Sequence, residues 1–235
     1  MTEVKSTKKE KQPIIEYNGT KYLRIPVKTH VITKDDSIVD VVSMYAREIV
    51  KENDIVFISE KAVAITQGRA FPVAEIKPRP LARLLSKYVT KTPSGIGLGI
   101  PETMEMALRE CGVLRILFAA VVSFFGKLFG RKGDFYRIAG YKASSIDGPT
   151  PNTLPPYNKY VVLGPENPDQ VAKSISDSIK AEVAIVDIND LGGNILGTSK
   201  SSLDRKTLIG ILRDNPLGQC CEQTPMGIIR TVEEQ

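Results

Sequence analysis

Short apolar runs, each bounded by polar or turn-forming residues, recur along the chain and predict β-strands. Each run has about four to six residues, which fits a strand buried in a sheet better than a helix. The predicted strands lie at residues 22–27, 55–58, 135–139, 160–163 and 183–186. Their spacing is irregular, so they do not form the regular repeat expected of a propeller or a solenoid.

Between the predicted strands, apolar residues recur at three- and four-residue intervals and predict helices. One such segment begins at Ile38, directly after Asp35 and Asp36, whose negative charges favour a helix start. Further helices are predicted over residues 101–112 and 167–180, each with a proline in its first turn. The mixture favours an α/β or α+β fold, with a mixed β-sheet and flanking helices.

Composition indicates an ordinary globular protein with a basic N-terminal segment. The 235 residues are 42% hydrophobic and 25% charged, with a net charge of +5. We predict a flexible, lysine-rich tail over residues 1–20 and a single domain over residues 21–235. The chain has no tryptophan, and no arginines interleave with aromatic residues, so we expect no nucleic-acid partner.

Cysteine and histidine are scarce, which limits the chemistry available to the chain. There are three cysteines, two of them adjacent, and one histidine, His30. This pattern argues against a disulfide framework and against a zinc site, and it fits a reducing compartment. No apolar N-terminal run resembles a signal peptide, so we expect a cytoplasmic protein.

Residues 113–132 form the most apolar segment of the chain. Its uncharged core, residues 116–126, is shorter than the roughly 20 residues needed to span a bilayer. Its apolar residues occur on all sides of a helix, which is typical of a buried helix or a subunit interface. The basic residues at its end leave a helix lying in the membrane interface as the less favoured alternative.

Candidate chemistry is concentrated after the predicted strand at residues 183–186. Asp187, Asn189 and Asp190 follow it directly and lead into Gly192 and Gly193. Carboxylate and amide oxygens at the carboxyl end of a strand are suited to Mg²⁺ or Mn²⁺. A solvated Asx-Gly turn is the alternative, because such turns are common.

Five segments, in the same order, resemble motifs of the coenzyme F-420-0:L-glutamate ligases, also called F-420 gamma-glutamyl ligases. They include an Ile-Pro strand, a strand-to-helix segment, a Pro-Asp helix entrance, a metal loop and a late nucleotide loop. These segments are Arg24–Val27, Asn53–Arg69, Leu163–Asp169, Asp187–Asn194 and Leu217–Pro225. Each motif is weak alone, and their common order carries the resemblance.

The resemblance implies a mixed α/β subunit in an intertwined homodimer. It also implies GTP as co-substrate, and Mg²⁺ or Mn²⁺. The implied reaction joins an amino acid such as L-glutamate to a carboxylate-bearing small molecule through an acyl phosphate. Nucleotide and acid acceptor are then the expected ligands, and contact with a membrane surface is not expected.

Site residues carry over from the family motifs position by position. Glu60 and Lys61 match the pair that contacts nucleotide, and Asp190 matches the metal-binding aspartate. Gln219 matches a late position that contacts metal and nucleotide, and Glu222 matches the acidic residue that follows it. Asp187 joins the metal candidates because it precedes Asp190 in the same motif.

Three departures from the family pattern favour an altered activity. Lys142 stands where the family has a second metal-binding aspartate, Ile65 replaces a lysine, and Leu191 replaces a threonine. Asp147 is a candidate substitute for the carboxylate lost at Lys142, although an Asp-Gly turn explains it equally well. The alternative function is therefore an inactive nucleotide- or ligand-binding relative with a regulatory role.

Overall fold

The computed structural model describes residues 11–89, 96–131, 133–151, 153–189, 192–218 and 222–232. The strands are β1 (Ile14–Tyr17), β2 (Thr20–Val27), β3 (Ile55–Ser59), β4 (Ala70–Pro72), β5 (Tyr160–Val162), β6 (Glu182–Asn189), β7 (Gly192–Thr198) and β8 (Met226–Val232). The helices are α1 (Ile38–Ala46), α2 (Glu60–Thr66), α3 (Pro80–Leu85), α4 (Pro101–Cys111), α5 (Val113–Leu128), α6 (Asp134–Ala139), α7 (Tyr141–Ser144), α8 (Pro168–Ile179) and α9 (Arg205–Leu212).

A mixed six-stranded sheet organises the fold, and it confirms the predicted class. Its strand order is β1-β2-β8-β3-β6-β7. Within the described residues, β3 and β6 are parallel, and every other neighbouring pair in this sheet is antiparallel. A separate two-stranded antiparallel sheet, formed by β4 and β5, lies outside this sheet.

Both faces of the central strands are buried, because side chains alternate between two hydrophobic cores. Val56 and Ile58 of β3 belong to a core that includes residues of α1, α2 and α8. Phe57, between them, belongs to the opposite core, to which α9 contributes. This two-sided burial explains why the predicted strands at residues 55–58 and 183–186 are continuously apolar.

A third core is built from α3 to α7 together with β5. It corrects the strand predicted at residues 135–139, which lies in α6 instead. Phe135, Ile138 and Ala139 all pack into this core. Their spacing of three and four residues places them on one helical face, so the short apolar run fitted both structures.

The strand that contains Asp187 is longer than predicted and pairs with β7 as an antiparallel hairpin. Asp187 and Asn189 lie within β6, opposite Asn194 and Gly192. The sequence pattern predicts that both residues lie in a loop after the strand. This prediction is wrong, because both residues are part of the strand. Asp190 and Leu191 lie outside the described residues.

The N-terminal domain boundary, expected at residue 21, falls inside β2. The sequence places a small strand around Ile14 and Ile15 at the end of the tail, and the structure has β1 there, paired with β2. Arg24 of β2 is fully buried and fixes this edge of the sheet. Its guanidinium donates to the carbonyl of Ile211 at 3.0 Å and pairs with Asp214.

Helix α5 is only half buried within the chain, so the prediction of a helix buried inside the subunit is wrong, whereas the alternative of a subunit interface stays a prediction. Ile116, Ala119 and Gly126 are buried, whereas most of its large side chains are exposed. No single helix in the described part of the chain has the length and apolar composition to cross a bilayer. Helices α4 and α5 meet those criteria only together, across a bend of 116°.

A close backbone contact sets the position of α8 against β7. A Cβ added to Gly197 would lie 2.3 Å from the carbonyl carbon of Pro168 and 2.5 Å from the amide nitrogen of Asp169. The Asp169 carboxylate also accepts a hydrogen bond from the Thr198 amide at 2.8 Å. Only glycine at position 197 permits the first turn of α8 to pack this closely.

We therefore predict that Gly197→Ala destabilises the fold by about 1–3 kcal/mol, because backbone atoms must move to admit the methyl group. Urea unfolding measures the effect. Asn194→Ala, at an exposed position of the same strand, is the control and is expected to change stability by less than about 0.5 kcal/mol. Equal stability of Gly197→Ala and the wild type would contradict the packing argument.

Candidate active site

The parallel pairing of β3 and β6 brings two predicted site segments together. Ser59 of β3 is paired with Val186 of β6, so the next residues along the two strands are Glu60 and Asp187. Strand β3 ends there and α2 begins, which places Glu60 and Lys61 in the first turn of the helix. Two motifs separated by more than a hundred residues thus meet at one edge of the sheet.

Asp147 reaches the same place from a different part of the chain. Its backbone forms an isolated bridge with Val162 of β5, with hydrogen bonds of 2.8 and 3.0 Å. Its carboxylate pairs with the Lys61 ammonium group at 2.8 Å. Glu60, Lys61, Asp147 and Asp187 are called the carboxylate cluster below.

The carboxylate cluster carries more negative charge than its lysine can balance. Burial of Glu60 raises the pKa of its carboxyl well above the ordinary 4.5, and the nearby charges of Asp187 and Asp147 raise it further. Burial also raises the pKa of Asp187, with repulsion from Asp147 as the second cause. Perturbed acids of this kind are typical of functional sites.

The pKa values of Lys61 and Tyr141 are both raised at the cluster, although burial acts on the two groups in opposite directions. Burial opposes the charge of Lys61, but Asp147, Glu60 and Asp187 outweigh it and raise the pKa of the ammonium group. Tyr141 donates from its hydroxyl to Oε2 of Glu60 at 3.3 Å. Burial, followed by the charge of Glu60, raises the pKa of that hydroxyl, so it remains a proton donor at neutral pH.

Tyr141 is not predicted from the sequence, because the apolar run at residues 135–139 indicates a strand rather than a helix that ends before Gly140. In the structure the chain instead breaks at Gly140, where the backbone has a φ of 87°, and Tyr141 starts α7. The glycine immediately before a tyrosine was the available signal for this break. It turns the tyrosine toward Glu60.

An open cleft of about 720 Å³ adjoins the cluster, and Tyr141 lines both. Three cationic side chains also line the cleft, those of Arg69, Lys142 and Arg205. The first turn of α8 and part of β7 form its opposite side. Glu166 also lines the cleft, so its lining carries three cationic residues and one carboxylate. A cleft with this excess of positive charge and this size fits an anionic small molecule or part of a nucleotide.

The cations of the cleft are held in place by carboxylates. Arg69 donates to Glu110 at 2.7 Å, to Glu166 at 2.9 Å and to the carbonyl of Gly164 at 2.6 Å. Lys142 also pairs with Glu110, at 3.1 Å. Burial opposes the charge of Glu110, but Arg69 and Lys142 outweigh it and lower the pKa of its carboxyl.

The remaining sequence candidates are distributed as follows. Glu222 lies against Gly218, where a Cβ would come within 2.7 Å of its carboxyl carbon. Its loop leads into β8 beside the cluster, since the Ser59 amide donates to the carbonyl of Pro225 at 2.8 Å. Asp190 and Gln219 lie outside the described residues.

The described residues do not by themselves contain a group of three acidic, histidine or cysteine side chains able to hold a metal ion. The carboxylate cluster therefore offers oxygen ligands without a complete protein-made coordination shell. This arrangement differs from a structural metal site, in which the protein supplies all or most ligands.

Neutralising Glu60 should change how stability depends on pH. Above pH 4.5 an unfolded chain releases the Glu60 proton, whereas the folded chain retains it because the folded pKa is raised. Retention of this proton stabilises the folded wild type most at low pH. The contribution is lost as the pH rises toward the pKa of Glu60 in the folded chain. We predict that Glu60→Gln gains stability relative to the wild type as pH increases.

Urea unfolding of both proteins, in chelator and between about pH 5 and pH 8, measures this difference. Glu48→Gln is the matched control, because Glu48 is an exposed residue after α1. Its free energy of unfolding should depend on pH in the same way as that of the wild type. A constant difference between Glu60→Gln and the wild type across this range would contradict the raised pKa.

Comparison with known protein families identifies the family of the chain. A family model described as F420-0:Gamma-glutamyl ligase matches residues 26–196. The match includes β3, β6, α7 and the whole carboxylate cluster. No curated protein matches the chain. Since the family model spans well over half of the sequence, the chain belongs to the F420-0:gamma-glutamyl ligase family.

Proposed function

We propose that this protein is a nucleotide- and divalent-metal-dependent ligase that forms an amide between an amino acid and a carboxylate-bearing small molecule. The observation that supports it best is the meeting of Glu60, Lys61, Asp147 and Asp187 where β3 ends alongside its parallel neighbour β6, near an open cleft lined by three cationic residues. Membership of a ligase family gives the reaction class. The family motifs favour GTP as the nucleotide and L-glutamate as the amino acid.

The chemistry of the cluster fits Mg²⁺ or Mn²⁺. Its donors are carboxylate oxygens. Burial, followed by repulsion from neighbouring carboxylates, raises the pKa values of Glu60 and Asp187, and a bound cation would favour their ionised forms. Mg²⁺ is commonly bound by one or two carboxylates, with nucleotide phosphates and water completing its shell. Asp187 and Glu60 would hold the ion, and Asp190 is the further candidate from the sequence.

In the proposed reaction, an oxygen of the acceptor carboxylate attacks the γ-phosphorus of the nucleotide, and the nucleoside diphosphate leaves. The amine of the amino acid then attacks the acyl carbon, inorganic phosphate leaves, and the amine loses a proton. The metal ion supplies neutralisation of phosphate charge when bound. No nucleophilic side chain is required, which fits the scarcity of histidine and cysteine.

The residues of the chain would act mainly by position and charge. Lys61 supplies a positive charge for a phosphate, and the Tyr141 hydroxyl orients Glu60. Arg69 and Lys142, fixed by Glu110, give the cleft a positive side for the acidic acceptor or the nucleotide. Holding amine and acyl group together supplies much of the rate enhancement expected for such a reaction.

We predict that Asp187→Asn weakens Mn²⁺-dependent GTP binding by about tenfold or more, because an uncharged amide of similar size replaces a charged metal ligand. Calorimetric titration with GTP, with and without Mn²⁺, measures the loss. Asp177→Asn is the control, since Asp177 is an exposed residue of α8 that pairs with Lys173 one turn away. Unchanged metal-dependent binding by Asp187→Asn would remove this residue from the site.

A catalytically altered relative is the second candidate function, and two contacts favour it. The Lys61 ammonium group already pairs at 2.8 Å with the carboxylate of Asp147, which is the candidate replacement for the missing metal ligand. Lys142, at the position of that ligand, pairs with Glu110. Under this alternative the site binds nucleotide without turning it over.

Turnover separates the two functions. With GTP, Mn²⁺, L-glutamate and a panel of small-molecule acids, the ligase should release nucleoside diphosphate and form an amide product detected by mass spectrometry. We expect release to require an acid from the panel and to be lost in Asp187→Asn. Nucleotide binding without diphosphate release or product, across the whole panel, would support the non-catalytic alternative.

A further inference from the structure

Helix α5 presents a continuous apolar face to solvent. Five of its exposed residues follow one another at intervals of four, three, four and three positions, which places them on a single stripe of the helix. The stripe is completed on one side by Phe124 and beyond the helix end by Phe129. All seven side chains are between 53% and 84% exposed: Leu114, Phe118, Val121, Phe124, Phe125, Leu128 and Phe129. They are called the outer face of α5 below.

The opposite side of α5 is anchored firmly to the third core. Ile116 and Ala119 are fully buried there. Gly126 lets α6 approach so closely that an added Cβ would lie 2.3 Å from a carboxylate oxygen of Asp134. The inner side of the helix is therefore fixed by the core. The outer face points away from that core and does not pack against it.

The chain segment that carries the outer face is positively charged. From Gly112 to Gly133 the sequence contains Arg115, Lys127, Arg131 and Lys132 and no acidic residue. The nearest acid in sequence on the C-terminal side, Asp134, is buried on the inner side of α5.

Asp134 balances only part of this charge. Two arginines share its carboxylate: Arg131 at 3.2 Å and Arg137 at 2.9 Å. One carboxylate between two guanidinium groups leaves a net positive charge at this end of the helix. The apolar stripe is therefore continuous with a cationic edge.

We propose that the outer face of α5 docks onto an anionic phospholipid bilayer, with the helix lying parallel to the membrane surface. The 16-residue helix is about 24 Å long, which suits a helix that lies in the interface. Phenylalanine and leucine side chains enter the boundary between headgroups and acyl chains, and the basic groups contact lipid phosphates. An apolar face this extensive is unusual on a protein surface that remains in water.

Charge selects the bilayer over a second copy of the chain. Two outer faces packed together would bring arginines and lysines near one another, and the segment from residue 112 to residue 133 offers no carboxylate to balance them. An anionic membrane supplies the missing negative charge as well as the apolar phase. The proposal goes beyond the ligase function and does not depend on it.

Vesicle co-sedimentation with the full chain tests the docking. We expect binding to phosphatidylcholine vesicles that contain phosphatidylglycerol, weaker binding without it, and weaker binding at high salt. Phe118→Glu and Leu128→Glu should each reduce partitioning by about tenfold or more, because a carboxylate replaces an apolar side chain and is repelled by the lipid. Circular dichroism verifies that both variants are folded.

Met44→Glu is the matched control, since Met44 lies on helix α1 and is 70% exposed. It adds the same charge and leaves the lysine-rich N-terminal segment intact, so its binding should equal that of the wild type. The proposal is overturned if the wild type does not bind anionic vesicles, or if Phe118→Glu and Leu128→Glu bind as well as Met44→Glu. It is also overturned if light scattering shows a wild-type dimer that Phe118→Glu converts to a monomer.

Discussion

The parallel pairing of β3 with β6 is the constraint on which the rest of this structure depends. Parallel neighbours cannot be joined by a tight turn, so the chain must cross over between Ser59 and Glu182. Here the crossover carries α2 to α8 and a complete hydrophobic core of its own. It leaves the sheet at Glu60 and returns Tyr141 and Asp147 to that point. One strand register thus assembles a site from three distant segments.

The same arrangement concentrates charge that folding alone does not favour. Three carboxylates surround one lysine, and two of those carboxyls have raised pKa values because burial and repulsion act in the same direction. The neighbouring Glu110 shows the contrast, since Arg69 and Lys142 balance it and lower its pKa. The charge of Glu110 is therefore balanced by two cations, whereas the three carboxylates of the cluster share a single lysine. An excess of carboxylates of this kind favours the binding of a cation.

The crossover core also explains the exposed helix. Helix α5 contributes one side to that core, and no residue in the described ranges forms a second layer over its outer face, unlike the central sheet, which is covered on both faces. Ile116 and Ala119 anchor the inner side of the helix in that core, whereas the large residues opposite them are exposed and contribute little to its burial. Their size and the cationic edge beside them call for an explanation outside the fold, and a membrane surface supplies one.

The sequence by itself determined the strong local patterns: the buried strands around Val56 and Val183, the proline-led helices and the mixed fold class. It also named Glu60, Lys61, Asp147 and Asp187 as candidates, which stay predictions as site residues. It failed where a pattern fitted two structures, as in α6, whose apolar residues satisfy both strand and helix. Only the tertiary structure decided that Asp187 lies within a strand beside Glu60, that Tyr141 joins them, and that α5 is buried on one side alone. Local patterning depends on neighbours along the chain, whereas strand register and the covering of a helix face depend on contacts between distant segments.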